Sequence, residues 1–245
     1  MAIRFSVITF LVIGLLVLPI HSAWCRSYPA PYDAMGSVLA WESLLTVDNR
    51  YQLIVLEEFE HRHYFAYSPS TELAELYYIF NTPNDKAFRY ESNLVSNYSE
   101  VESTSRSLLV MTSFTVPGHQ NFHFKPELPL PIYGRPTRLS VWVRSDEYPH
   151  RLEFEFKNAL GQTVKVDAGR LYWKGWRRLD ITLPRELYRS ARLTGDQNRT
   201  QFTGISIYSH PKSKPGAISL QFDHLLILSD ISNQQYDGAD IVDEW

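Results

Sequence analysis

Four runs of alternating apolar and polar residues lie within residues 137–184: Leu139, Val141 and Val143; Leu152, Phe154 and Phe156; Val164 and Val166; Leu179, Ile181 and Leu183. A period of two puts each apolar set on one face of a strand, while Arg151, Glu153, Glu155 and Lys157 put charge on the other. Such strands cover one side of a core and turn their second face to solvent. The links between them are short. Asn158 opens a turn through its side chain and Gly161 accepts positive φ, so residues 158–161 read as a hairpin link, and Tyr148-Pro149 separates the first two strands. The stretch predicts one half of an antiparallel β-sandwich, with Leu139, Val141, Val143, Leu152, Phe154, Phe156, Val164, Val166, Leu179 and Ile181 in its core.

The flanking segments extend this pattern. Residues 51–60, YQLIVLEEFE, are apolar and β-branched enough to open the sandwich, and residues 64–67 add aromatic bulk. In residues 71–80, Leu73, Leu76, Tyr77 and Phe80 fit a helix face, and a short helix is expected there over a strand. Residues 81–105, rich in Asn and Ser, read as a long surface loop. Strands are expected over residues 107–116 and 121–125. Pro126, Pro129, Pro131 and Pro136 then form a stiff crossover of the kind that changes sheets. Residues 185–201 make a basic, irregular link with one helical turn, followed by closing strands over 202–208 and 217–228. In the last of these Ile218, Leu220 and Phe222 share a face, but residues 225–228 are apolar on both. Either a bulge near Asp223-His224 breaks the phase or the strand is centrally buried.

Export is written at the start of the chain. Arg4 precedes an uncharged apolar run over residues 5–20, and small Ser22 and Ala23 follow. About 16 residues fall short of the ~20 that a spanning helix needs. The expected organisation is a signal peptide over 1–23, an N-terminal arm over 24–50, one β-sandwich domain over 51–230 and a flexible acidic tail over 231–245. Within the arm, Val38, Leu39, Trp41, Leu44 and Leu45 have near-helical spacing. Acylation at Cys25 would need a small residue before it and finds Trp24. As Cys25 is the one cysteine, no intrachain disulfide can form. The fold class expected is all-β: an antiparallel, jelly-roll-like sandwich of the carbohydrate-binding-module-like kind, with one or two short helices.

Charge and motif exclude several functions. Cleavage after Ala23 takes Arg4 from the 24 basic residues and nothing from the 27 acidic ones, leaving a net charge of −4. A nucleic-acid partner needs a concentrated positive face, so none is expected, nor is membrane insertion once the leader is removed. No GxSxG, HExxH, P-loop or dinucleotide fingerprint occurs, and the chain is read as no enzyme. Glu153 and Glu155 project from one strand face about 7 Å apart, near the spacing of a glycosidase pair, but more simply mark a solvated face. His61 and His63 share a strand face, yet two ligands are too few for a metal. Neither metal nor cofactor is expected.

Aromatic residues carry more information. Tyr172, Trp173 and Trp176 interleave with Arg170, Lys174, Arg177 and Arg178, which puts three large rings and four cations in nine residues of an acidic chain. That composition is enriched in binding hot spots. The plainer alternative is that a ring or two plugs the end of the sandwich, Trp176 above all.

The same residues carry a family resemblance. PLPIYGRPTRLSVWVRS, then YPHRLEFEFKNALGQTVKVDAGRLYWKGWRRLDITLP, then FTGISIY and LQFDHLLILSD, resemble the spirochaete flagellar filament outer-layer proteins of the FlaA sheath type. The likeness covers residues 114–230, with YQLIVLEEFE a weaker counterpart of an early strand. Trp142-Val143, Tyr148-Pro149-His150, the Gly161 turn and Lys174-Gly175-Trp176 are its most specific parts, and residues 66–105 depart from the pattern. The resemblance implies a non-catalytic periplasmic subunit associated with the flagellin core and other sheath proteins of an internal flagellum. Residues 170–178 are then expected to join a filament contact. A secreted carbohydrate-binding module, stacking Tyr172 and Trp173 on sugar rings, is the competing class.

Overall fold

The computed structural model describes residues 32–60, 64–67, 74–99, 105–188 and 199–232. The chain divides into two units, residues 1–32 and 33–245, and all the described residues but Tyr32 belong to the second. The expected leader, His61, His63 and residues 233–245 of the expected tail lie outside the described residues.

Among the described residues it holds two α-helices, a 3-10 turn at Arg185–Leu187 and twelve strands: α1 (Ala34–Val47), β1 (Tyr51–Glu57), β2 (Phe65–Tyr67), β3 (Ala74–Ile79), α2 (Lys86–Val95), β4 (Ser107–Phe114), β5 (Asn121–Pro126), β6 (Leu130–Ile132), β7 (Arg135–Asp146), β8 (Arg151–Lys157), β9 (Thr163–Arg170), β10 (Lys174–Thr182), β11 (Thr200–Tyr208) and β12 (Gly216–Asp230). One sheet runs β10-β7-β12-β4-β3, with β1 on the second half of β12; the other runs β2-β5-β11-β8-β9, with β6 on β11. Every pairing is antiparallel. These are the two layers of a β-sandwich.

The four alternating runs do not form a single sheet. β7 and β10 pair in the first, β8 and β9 in the second. Their alternation is the same whichever layer a strand joins, so periodicity alone could not divide them. All ten expected core residues face the interior: Leu139, Val141, Val143, Leu152, Phe154, Phe156 and Val166 are buried, and Val164, Leu179 and Ile181 pack against them half-buried. The β8–β9 hairpin forms as expected. Asn158 Oδ1 accepts from Leu160 N and Gln162 N, both at 3.0 Å, and Gly161 takes φ +76°. The proline-rich crossover does change sheets. It first adds β6 to the second sheet, then turns at Gly134, φ +71°, where a Cβ would lie 2.7 Å from the Asp230 carbonyl oxygen.

Two expectations are overturned. Residues 74–79 are strand β3, on which Leu76 and Tyr78 pack inward and Tyr77 faces out. Leu76, Tyr77 and Phe80 fit a helical face as well as a strand, and pairing with β4 decides. Residues 81–105 hold α2, not only loop. Asp85 Oδ1 caps it by accepting from Ala87 N at 2.8 Å. Its buried face is Ala87, Phe88, Glu91 and Val95, and the glutamate in that face broke the apolar pattern that would have revealed a helix.

Both helices lie on the outer face of the first sheet. Trp142, the face opposite to Val141 and Val143, packs with Ala34, Val38, Ala87 and Phe88, while Leu226 and Leu228 pack with Trp41, Leu53 and Val95. This accounts for the apolar run at the end of β12. The strand bulges between Asp223 and Leu226 with His224 at φ 45°, and beyond the bulge it is covered on both faces. Phe154 stands at the centre of the main core, fully buried. Phe154→Ala should cost about 3–5 kcal/mol of unfolding free energy, read from a denaturant midpoint at unchanged slope.

Candidate functional site

Residues 171–173 do not close a hairpin: β9 and β10 belong to different sheets, so the segment arches over one end of the sandwich. Leu171 anchors it, fully buried, with its N–H donating to His150 O at 3.0 Å. Glu147 N donates to Trp173 O at 2.8 Å from the other side. The arch leaves Tyr172 outermost, 56% exposed, with Arg170 Nη1 donating to Tyr172 Oη at 2.9 Å and lying 3.1 Å from His210 Nε2. Arg170 and Lys174 are exposed beside it.

The other candidate residues divide. Trp173 is half-buried, packs on the core and donates Nε1–H to Val143 O at 3.2 Å; Arg177 lies 5.5 Å over its ring. Trp176 points the other way, onto Trp142 and Phe88 beneath α1 and α2. Arg178 is 4% exposed and belongs to the interior. In a strand, neighbouring side chains alternate faces, so a dense run of rings and cations is necessarily split between surface and core. Of the seven residues that the sequence density singled out, Arg170, Tyr172 and Lys174 are exposed, Trp173, Trp176 and Arg177 half-buried and Arg178 buried.

Arg178 is a clamp. Its Nε donates to Glu91 Oε1 at 2.7 Å, its Nη1 donates to Ser37 Oγ at 2.7 Å, and its guanidinium sits 5.0 Å over the Trp41 ring. Trp142 Nε1 donates to Glu91 Oε2, and His224 Nδ1 lies 3.5 Å from the same oxygen. Asp180 Oδ2 accepts from Ser37 Oγ at 2.5 Å and Trp41 Nε1 at 3.0 Å, and Asp180 Oδ1 from Arg138 Nε at 2.9 Å. One arginine thereby ties both helices to the sheet. Burial pushes the Glu91 carboxyl up, but the Arg178 and His224 charges and hydrogen bonds outweigh it and hold the group below the usual carboxylate range. Removing one partner of a buried pair strands the other. Arg178→Met should therefore cost roughly 3–5 kcal/mol, whereas Tyr172→Ala should stay within about 0.5 kcal/mol, both read from chemical denaturation.

Glu153 and Glu155 do not form a freely solvated face. Arg151 Nη2 meets Glu153 Oε1 at 2.5 Å; Glu155 Oε1 accepts from Ser206 Oγ at 2.7 Å and sits 3.1 Å from Lys165 Nζ. Long cationic side chains laid along the strands cover both carboxylates. His123, 3.7 Å from Glu155, is lowered by burial against the pull of that carboxylate.

His150, under the arch, packs against Phe114 and Tyr148, and its Nδ1 accepts from His210 N at 3.1 Å. Burial, with the His210 charge adding, lowers it from 6.5 to about 4. The unfolded chain therefore binds a proton that the folded chain refuses, and stability present above pH 6.5 is lost as pH falls toward 4. Glu91, also lowered, acts in the same direction at lower pH. Asp223, raised well above its ordinary value by burial and by Glu60 and Glu91, acts in the opposite one. The melting temperature should fall between pH 7 and 4, and His150→Gln should flatten that fall.

Sequence reasoning gave His210 and Glu91 no role and named His150 only within the resemblance; both histidines lie in links between strands. Lys212 and Lys214, exposed in the loop after β11, add cations to the same end of the sandwich, and the Pro-Lys-Ser-Lys-Pro-Gly run was their signal. Among the described residues no group of three or more His, Cys, Asp or Glu is placed to hold a metal ion.

A two-layered antiparallel β-sandwich with a helix-covered outer face and an aromatic, cationic end defines the class of protein. The family model of the flagellar filament outer layer protein FlaA matches residues 92–236, and the chain belongs to that family. It is 25% identical over 129 residues to a Brachyspira hyodysenteriae protein named as flagellar filament outer layer-like, a match spanning 52% of this chain and 60% of the relative. Among solved structures it is similar to the family 11 carbohydrate-binding module of the Clostridium thermocellum cellulase Lic26A-Cel5E, at 13% identity and TM-score 0.41 over 72% of this chain and 94% of that one. A second is TmCBM61 bound to β-1,4-galactotriose, at 12% identity and TM-score 0.37 over 71% and 90%.

Proposed function

We propose that the chain is an exported, non-catalytic subunit of the outer layer of a periplasmic flagellar filament, lying on flagellin core subunits beside other sheath proteins and contributing to filament shape and motility. The observation that carries this reading is the family match, which runs from within α2 through the end of β12 and so takes in most of the sandwich. The uncharged apolar run over residues 5–20 behind Arg4 supports export. The arch with Arg170, Tyr172 and Lys174 supplies a filament contact, with Trp173 and Arg177 forming its shoulder and Trp176 and Arg178 holding it from behind.

Immunogold labelling of flagella isolated from the periplasm tests the reading. Label along the filaments, with the chain recovered in the filament fraction, is the expected result. Recovery in the soluble fraction alone, with retention on a glycan array, would replace the filament reading with that of a carbohydrate-binding module.

A further inference from the structure

Arg170 and His210 meet at the arch end of the second sheet with more hydrogens to donate than oxygens to take them. Arg170 is the last residue of β9 and lies past a bulge, where Leu152 pairs with Gly169 but Glu153 with Asp167. Gly169 takes φ +85° there and donates its N–H to Asp167 Oδ1 at 2.8 Å. Bulges re-aim the side chains beside them. The Arg170 guanidinium is exposed, and its Nη1 lies 2.9 Å from Tyr172 Oη and 3.1 Å from His210 Nε2. Across the ladder, Arg151 is engaged elsewhere, by Glu153 and the face of Tyr208.

His210 is held in place by its own turn. Its N–H donates to Nδ1 of the buried His150 at 3.1 Å, and its carbonyl oxygen accepts from Ser213 N at 2.9 Å and Ser213 Oγ at 2.7 Å. Lys212 N orients the ring by donating to His210 Nδ1 at 3.1 Å. A backbone N–H can only donate, so Nδ1 offers its lone pair and the hydrogen of the neutral ring sits on Nε2. A guanidinium has donors and no acceptor. Nε2–H and an Nη1–H therefore face each other as two donors. The other tautomer would satisfy Arg170 but set Nδ1–H against Lys212 N–H. Tyr172 adds a third donor, because its oxygen accepts from Arg170 and its own hydrogen remains to be given. Among the described residues no carboxylate pairs with Arg170, His210 or Lys212. The exposed acids Asp146 and Glu147 stand with the other sheet, where Asp146 is in register with Lys174.

The geometry points to a carboxylate-binding site formed by Arg170, His210 and Tyr172, offered to an acidic segment of a neighbouring protein. The two oxygens of a carboxylate have lone pairs for all three donors at once, and its bonds to the guanidinium are charge-assisted. A neutral amide, with a single acceptor oxygen, takes two at most. This deepens the reading of the chain as a layer subunit, on which it rests, by giving the arch contact its chemistry: an Asp or Glu side chain of the adjoining filament protein. An exposed contact of this kind weakens as salt rises.

Proton–nitrogen spectra of the histidine and arginine side chains test the site on the purified exported chain during titration with hexaglutamate. His210 is expected as the Nε2–H tautomer before peptide is added. Its Nε2–H and the Arg170 resonances should then shift together to saturation, and hexaglutamine should leave them unmoved. Arg170→Gln and His210→Phe should each weaken binding about tenfold, with melting temperatures that show the variants fold. An Nδ1–H tautomer, no saturable shift, an equal shift with hexaglutamine, or variants that bind like the unaltered chain would each overturn the site. So would binding of an oligogalacturonate while hexaglutamate is refused, since the donors would then serve an acidic glycan. The layer reading is checked separately by gold labelling of isolated flagella. Label without peptide binding overturns the site and leaves the layer reading, whereas peptide binding without label overturns the layer reading and leaves the carboxylate site.

Discussion

A sheet that is apolar on both faces has to be covered twice, and here the second cover depends on one buried guanidinium. Arg178 meets Glu91 of α2 and Ser37 of α1 while stacking on Trp41, so the two helices that shield Trp142, Leu226 and Leu228 converge on one side chain. Isolated helices of 14 and 10 residues are marginal in water and hold their shape through packing. A charge in that place is costly to desolvate, and only a full set of partners makes it tolerable. Glu91, Ser37 and Asp180 form that set around Arg178, while Trp142 and His224 stand beside the Glu91 carboxylate. Beside this clamp lie the doubly covered half of β12, the bulge at His224 and Trp176, packed toward the helices.

The sandwich was legible because period-two alternation is a direct imprint of a strand with one buried face, and the ten core residues were readable for the same reason. Which sheet each strand joins was not legible, since β7 and β8 alternate alike and are separated only by the turn at Tyr148-Pro149. α2 escaped because Glu91 occupies a core position, and a glutamate there makes sense only once Arg178, distant in sequence, is seen opposite it. β3 escaped because its aromatic spacing satisfies both periods.

The candidate surface was legible as a density of rings and cations and illegible as a partition. Alternation sends Trp176 and Arg178 to the helix side and Arg177 to the sandwich mouth, leaving Arg170, Tyr172 and Lys174 outermost. Lys212 and Lys214 reach the same end from a loop about forty residues away, a proximity that only the β11–β8–β9 pairing creates. Family membership and surface composition thus say separate things: the first names the family, the second marks where rings and cations stand exposed.

Strand order also dictates when the molecule can become itself. β12 is the last of the described strands and pairs with β1, β4 and β7, so the first sheet has no centre until residues 216–230 are present. Tyr51 waits for Asp230, 179 residues later. Contacts this distant in sequence form slowly, because loop closure has to precede them. During synthesis β1, β3 and β4 therefore emerge as open edges with their apolar faces bare, the species most prone to pair with a neighbouring chain. The order of the strands thus sets how long those edges stand unpaired, a property of the finished topology that no single contact in the sandwich reveals.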